Sequence, residues 1–398
     1  MKVKTVPEDF QVEEVSSLEV SSTPGPYAVF RLTKSSWDTF DLLAALARRL
    51  GVERRDVAVA GIKDRHGRTT QLVTVRGLRG RPRALRDRNY SAEPVGWSAE
   101  PASARALEGN RFRIVLRDLD AREAARCLAN LEIVRRDGIP NYYDEQRFGS
   151  ARHGAGFMGR ELFLGNREAA LRLWFTPSKH DDRRTRMLKR AVIERWGRWG
   201  ECLPLAFGEY ERVLRYLADH PRAFRRAVLF LDRRFIVFVL NAYQSWLFNE
   251  LLAGLLRLEA AAGGFPLLEL RYNVGRFVFP AGSLAEGVRR AIVPLALPVP
   301  GYDTDAQDPR VRELLAKLME REGITLADLR VRQLQRVSAH GVERAAWLLP
   351  RDVTVSGPAA DERYPGRLRL DLGFQLPRGS YATLVLRRLA AAGPASAP

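Results

Sequence analysis

A chain of 398 residues, 46% of them hydrophobic, can bury a full core and is long enough for two folded bodies, so disorder is not the default reading. Lys and Arg number 65 against 47 Asp and Glu, a net charge of +18. This field draws polyanions, of which nucleic acid is the commonest in a cell, although an Arg-dominated surface also serves solubility alone. Cys127 and Cys202 have no partners at metal-ligand spacing, no basic-then-apolar leader is evident after Met1, and apolar runs such as Phe235 to Leu240 are too short to span a bilayer. A disulfide framework, a zinc site and a membrane anchor are not expected, and the expected location is the cytoplasm.

In chain order, Tyr27 to Thr33 alternates with Ala28, Phe30 and Leu32 on one face, which predicts a strand. Asp38 can cap a helix in which Phe40, Leu43, Leu46 and Leu50 recur at helical spacing, and Gly51 offers a left-handed stop. Val57 to Gly61 and Gln71 to Val75 read as two strands joined by Lys63-Asp64-Arg65-His66-Gly67-Arg68. Phe112, Ile114 and Leu116 alternate as another strand, and Asp120 begins a helix. Helical patterns then dominate, over Glu168 to Trp174, Arg184 to Trp196, Phe235 to Leu256 and Pro309 to Glu322. Leu368, Leu370, Leu372 and Phe374 alternate again, and Gly379-Ser380 is expected to open a short helix before a frayed tail from Ala390. The expected organisation is an α+β body, 1–166 and 346–398, interrupted by a mostly helical insertion, 167–345.

Asp64 is one carboxylate among Lys63, Arg65, His66 and Arg68. Nearby cations favour its ionised form, which suits a nucleophile or electrostatic stabiliser and is poorly suited to donating a proton. The same residues would also serve a surface turn whose charges pair with one another. Pro140 to Gly149, with Asn141, Tyr142, Tyr143, Arg147 and Phe148, combines rings, an amide and a guanidinium; it could hold an unstacked base or be ordinary turn and core. A basic run, Arg183, Arg184, Arg186, Lys189 and Arg190, could meet phosphates or be a solvated helix face. No carboxylate and histidine cluster for a metal stands out.

Pro7-Glu8-Asp9-Phe10-x-Val12-x-Glu14, Ala60-Gly61-x-Lys63-Asp64-Arg65 with Thr70-Gln71, and Pro140-Asn141-Tyr142-Tyr143-Asp144-x-Gln146-Arg147-Phe148-Gly149 together resemble successive motifs of TruD-type tRNA pseudouridine synthases. Ser245-x-x-Phe248-Asn249, Leu297-Pro298-x-Pro300-Gly301 and Leu376-Pro377-x-Gly379-Ser380-Tyr381-Ala382-Thr383 are similar to later family segments. The resemblance implies a catalytic sheet domain, mainly antiparallel or mixed and flanked by helices, with the family's helical insertion. It implies conversion of uridine to pseudouridine in RNA without cofactor or metal, with tRNA as partner and uridine 13 of the D-arm as the leading target. It places the catalytic aspartate on Asp64 and substrate contacts on Asn141 and Tyr143, where the family often has Phe. Lys63, Arg65, Arg147 and Phe148 are further candidates for RNA contact, and Phe10, Glu14 and Gln71 for support behind them. A monomer is expected. The rival is a non-catalytic RNA-binding or RNA-chaperone protein, which composition explains equally well but which gives no reason for Asp64.

Overall fold

Strand alternation builds the main sheet, whose nine strands are β1 (Phe10–Ser16), β2 (Tyr27–Ser35), β3 (Val57–Val59), β4 (Arg68–Arg76), β5 (Leu85–Asp87), β6 (Tyr90–Ser98), β7 (Leu107–Leu119), β8 (Arg351–Ala360) and β9 (Leu368–Pro377). This is a computed structural model describing residues 1–63, 67–151, 153–331 and 339–392. The strands run in the order β8-β9-β7-β1-β4-β2-β6-β5, with β3 beside β4. Every pairing is antiparallel except β1 with β4. Because side chains alternate across a strand, Ala28, Phe30 and Leu32 of β2 bury with Val73 and Val75 of β4 beneath the Thr39–Leu50 helix. Farther along, Phe10, Phe112 and Phe374 form an aromatic file across β1, β7 and β9, with ring centroids 6.1 and 5.5 Å apart.

The helix ends follow their capping residues. Asp38 accepts hydrogen bonds from the N–H groups of Phe40 and Asp41, and Gly51 ends the helix at φ 67°. Asp120 and Glu123 form a reciprocal capping box at the start of Ala121–Asp137. Asn130 of that helix, buried, donates to the carbonyls of Leu389 and Ala391 at 2.9 and 3.0 Å, satisfying orphan acceptors at the end of Ala382–Ala390. Tyr381, not Ser380, occupies the N-cap of that last helix: a turn at Arg378 and Gly379, with Gly379 at φ 78°, follows the strand, and Tyr381 is the extended residue before the first helical turn.

Two compact units are drawn, one of 1–139 with 348–392 and one of 140–347. The sequence reading set the junctions at 167 and 345. Pro140 to Asn166 goes with the helical unit because it packs there: the Tyr142 hydroxyl donates to the Val278 carbonyl at 2.9 Å, and Phe148 lies 5.6 Å from the Tyr272 ring. Gly159 sits so close to the Val239 backbone that a Cβ would collide with it. The centre of this unit is Arg233–Gly263, 31 residues and so about 46 Å long, buried on nearly every side. Asp232 caps it and Gly264 stops it at φ 65°. The unit also holds a hairpin, Leu267–Tyr272 with Gly275–Pro280, which the helical reading missed. Among the described residues no helix is long and apolar enough to cross a membrane.

In the sheet unit, Arg117, 4% exposed, reaches Asp9 at 2.8 Å and Asp361 and Glu362 at 2.9 Å. Burial opposes ionisation of Asp361, but N–H donation from Asp118 and Arg363 and the Arg117 guanidinium outweigh it and hold its carboxyl below the usual range. A Lys ammonium cannot fork to three carboxylates, so Arg117→Lys is expected to lower stability by about 1–3 kcal/mol at pH 7. Stability from a depressed carboxylate is present above its ordinary pKa and lost as pH falls through the folded value. The difference in urea midpoint between wild type and Arg117→Lys should therefore shrink below pH ~4; an equal difference at both pH values would refute the role given to this cluster.

Candidate functional site

The residues singled out in the sequence gather in two clusters, one in each unit. The first is built by an unusual edge. One side of β4 is shared: its start pairs in parallel with β1 (Val12 opposite Thr69) and its end pairs antiparallel with β3 (Ala58 opposite Thr74). The Ala60 to Gly67 connection therefore leaves the sheet where the neighbour of β4 changes.

Both stems of that connection are fixed. The Thr39 hydroxyl donates to the Lys63 carbonyl at 3.0 Å and accepts from the Lys63 N–H at 3.3 Å. Lys34, only 2% exposed, adds its ammonium to the same carbonyl at 3.4 Å. Gln71 donates to the Gly61 carbonyl at 3.2 Å. On the far stem, a Cβ on Gly67 would stand 2.7 Å from the Phe10 carbonyl, so only glycine lets the strand pass there. Asp64, Arg65 and His66 lie outside the described residues.

Lys63, expected at the RNA, turns inward instead. Its ammonium donates to the Asn110 side chain at 2.7 Å and lies 2.9 Å from a Glu14 carboxylate oxygen. Glu14 and Asn110 are directly opposite in the β1–β7 register, so one cross-strand pair receives the lysine. The Lys63 and Glu14 side chains are 6% and 1% exposed, which leaves neither available to a phosphate. The Glu14 contact is off the hydrogen-bonding direction, making it an ion pair, while the hydrogen bond goes to Asn110. Asn110 and Thr39 were missed by the sequence reading. Asn110 shares the inward parity of Phe112 and Ile114, and a polar residue on an apolar face was the available signal.

The second cluster surrounds Tyr143. Asn249, 2% exposed, accepts from the Tyr143 N–H at 2.8 Å and donates to its carbonyl at 2.9 Å, fixing the backbone on both sides. The Arg344 guanidinium lies 4.1 Å from the centre of the Tyr143 ring, and Phe248 meets the ring edge-on at 5.5 Å. Arg344 is held in turn, donating to the Asn141 carbonyl and side-chain oxygen at 3.1 and 2.8 Å. Asn141, 5% exposed, donates to the Ala345 carbonyl at 3.0 Å. Arg147 bonds Ser245 at 3.0 Å and lies 5.7 Å from the Tyr143 ring centre. A half-buried ring bordered by guanidinium groups can stack with an unpaired base while the cations meet its phosphates.

Phe148 does not join this surface. It is 0% exposed and packs against Phe157 and Tyr272, so its place is the core. The basic run of the insertion is also largely engaged: Arg184 covers the Phe207 ring at 4.1 Å, Arg186 donates to the Lys179 and Asp181 carbonyls, and Lys189 pairs with Asp181 at 3.2 Å. Among the described residues no group of three or more His, Cys, Asp or Glu is gathered as a metal ion would require.

The family model described as tRNA pseudouridine synthase D (TruD) matches residues 1–389 of this chain. A Methanopyrus kandleri protein named "Probable tRNA pseudouridine synthase D" is 33% identical over 375 residues, covering 92% of this chain and 86% of its own length. A Leptospira interrogans protein named tRNA pseudouridine synthase D is 27% identical over 399 residues, covering 97% and 95%. A TruD crystal structure from Methanosarcina mazei superposes with a TM-score of 0.74 at 24% identity, over 98% of this chain and 94% of that one, a likeness of fold.

Proposed function

The chain belongs to the TruD family of tRNA pseudouridine synthases, and from that premise we propose that it isomerises uridine 13 in the D-arm of tRNA with Asp64 as its catalytic residue. Isomerisation of uridine to pseudouridine is the family's reaction, and the motifs read in the sequence already pointed to it. The observation that carries the finer reading is the pair of fixed stems around Asp64: Lys63 is gripped through its peptide by Thr39 and Lys34, and Gly67 is packed on Phe10. The described residues on either side of Asp64 are thereby anchored, and catalysis by positioning requires anchored surroundings.

The reaction breaks the bond from C1′ to N1 of uracil, turns the base and forms a bond from C1′ to C5. N1 gains a proton and C5 loses one, so atoms and electrons balance within the nucleotide and the solvent. Attack on C1′, attack on C6 and removal of a sugar proton to give a glycal all employ the ionised carboxylate. The Lys63 ammonium, next to Asp64 in sequence, is engaged by Glu14 at 2.9 Å. Tyr143, braced by Asn249 and Arg344, is the stacking surface for the extruded uracil, with Arg147 and Asn141 beside it. Phe10 and Gln71 support the connection, and Arg65 is assigned to RNA contact by the motif alone. The enzyme acts on tRNA as a cytoplasmic monomer.

Carbodiimide-dependent primer extension on unmodified tRNA transcripts tests this directly. A new stop at position 13 supports the reading, and a stop elsewhere or none at all removes the target assignment. Tyr143→Phe should retain activity, since stacking needs the ring alone. Tyr143→Ala should lower kcat/KM about 10- to 100-fold, the usual worth of one base on an aromatic surface; equal loss in both variants would assign the role to the hydroxyl instead.

A further inference from the structure

We propose that the helical unit carries a second RNA-contact surface, a ladder of His220, Tyr216 and Phe230 edged by Arg212, Arg222 and Arg226, which grips an unpaired stretch of the substrate RNA. The surface lies on Gly208–Asp219 and on the consecutive turns Phe224–Ala227 and Val228–Phe230. Arg212 and Tyr216 lie four residues apart on one helix face, His220 follows four residues on as the residue that ends the helix, and Arg226 and Phe230 have the same spacing on the neighbouring turns. The two lines meet at the rings. Tyr216 stacks on His220 with centroids 4.6 Å apart and planes 15° from parallel, and Phe230 follows at 5.0 Å.

The ladder is exposed, which a purely structural stack would not require. Phe230 is 38% exposed and Leu229 beside it 58%, large apolar groups standing in water among cations. Phe224, on the same turns, stacks on Trp196 at 6.2 Å. Residues 208–234 hold seven arginines against four carboxylates. Three of those carboxylates are occupied: Glu211 pairs with Arg215 at 2.6 Å, Asp232 with Arg234 at 3.2 Å, and Glu209 accepts from the Asp232 N–H. Arg212, Arg222 and Arg226 have no ion pair among the described residues, and Asp219 stands nearby as an exposed acid.

Alternating rings and unpaired guanidinium groups fit single-stranded nucleic acid, whose bases stack while its phosphates meet the cations. A second copy of this face would bring like charges together, which disfavours self-association. This inference rests on the reading that the chain modifies tRNA, and its test separates the two.

The full chain is titrated with a fluorescent tRNA transcript at several salt concentrations, and single-turnover pseudouridine formation is measured at saturating RNA. Arg222→Glu with Arg226→Glu should weaken binding at least tenfold and flatten the slope of log affinity against log salt by about 1.5, the share of two phosphate contacts. Phe230→Ala should weaken binding about fivefold or more. The rate at saturation should stay unchanged in both, and Arg222→Lys with Arg226→Lys should restore the slope. Unchanged affinity and slope in the charge-reversed and Phe230→Ala proteins overturn the proposal, as does a sedimentation mass that rises with concentration and is abolished by Phe230→Ala, which would assign the face to a second copy. Wild-type protein that binds through this surface but forms no pseudouridine would remove the enzymatic reading and leave the surface supported.

Discussion

Asp64→Asn is expected to bind tRNA as wild type does and to lower single-turnover pseudouridine formation on the order of 10^4-fold, the scale on which enzymes lose activity when a central catalytic group is removed. Asparagine preserves the size of the side chain and one acceptor oxygen, but it has neither the negative charge nor the basicity that each route to pseudouridine employs. The fixed stems make this a clean experiment, because Thr39, Lys34 and Gln71 hold the chain through the backbone carbonyls of Lys63 and Gly61. Carbodiimide mapping of the same transcript gives the readout. Activity within tenfold of wild type would transfer the catalytic role away from Asp64.

The second large effect is expected at Lys63. Lys63→Met leaves the Glu14 carboxylate, 1% exposed, buried without its counter-charge, which typically costs about 3–5 kcal/mol. Neither Glu14 oxygen has a hydrogen-bond partner among the described residues, so none of these stands ready to take over the charge. Adding Glu14→Leu should return most of that stability, since an apolar pair of similar volume often replaces a buried ion pair at little cost. Activity should not return with it if the pair also fixes the direction in which the chain enters residue 64. Urea denaturation and single-turnover rates, measured on the single and double variants, separate the two effects. A Lys63→Met protein with the wild-type midpoint would show that the ion pair contributes no stability, and a fully active double variant would show that it does not position the connection.

Lys63 and Phe148 also mark where pattern reading runs out. Each sits in a motif expected to meet RNA, and each is buried, Lys63 on a cross-strand pair and Phe148 against Tyr272. Lys63 lies next to Asp64 in sequence, and only the structure shows its ammonium turned toward β1 and β7. Arg344, which braces Tyr143, belongs to no motif singled out in the sequence, because an arginine in a short strand carries no periodic signal of its contacts.

What the sequence determined by itself was local or periodic. Asp38 and Gly51 bounded the first helix, Asp308 and Gly323 enclose Pro309–Glu322 where helical spacing predicted it, and alternation gave the inward faces of β2, β7 and β9. The ordered motifs gave the family, since they record residue types at fixed spacing. Only the tertiary structure decided which residues meet. Register set Glu14 opposite Asn110 and brought Lys63 between them, and packing put Pro140 to Asn166 on the helical unit and Arg344 over Tyr143. The physical reason is that periodicity states which face a residue buries, whereas the partner on that face is fixed by strand register and close packing between segments far apart in the chain.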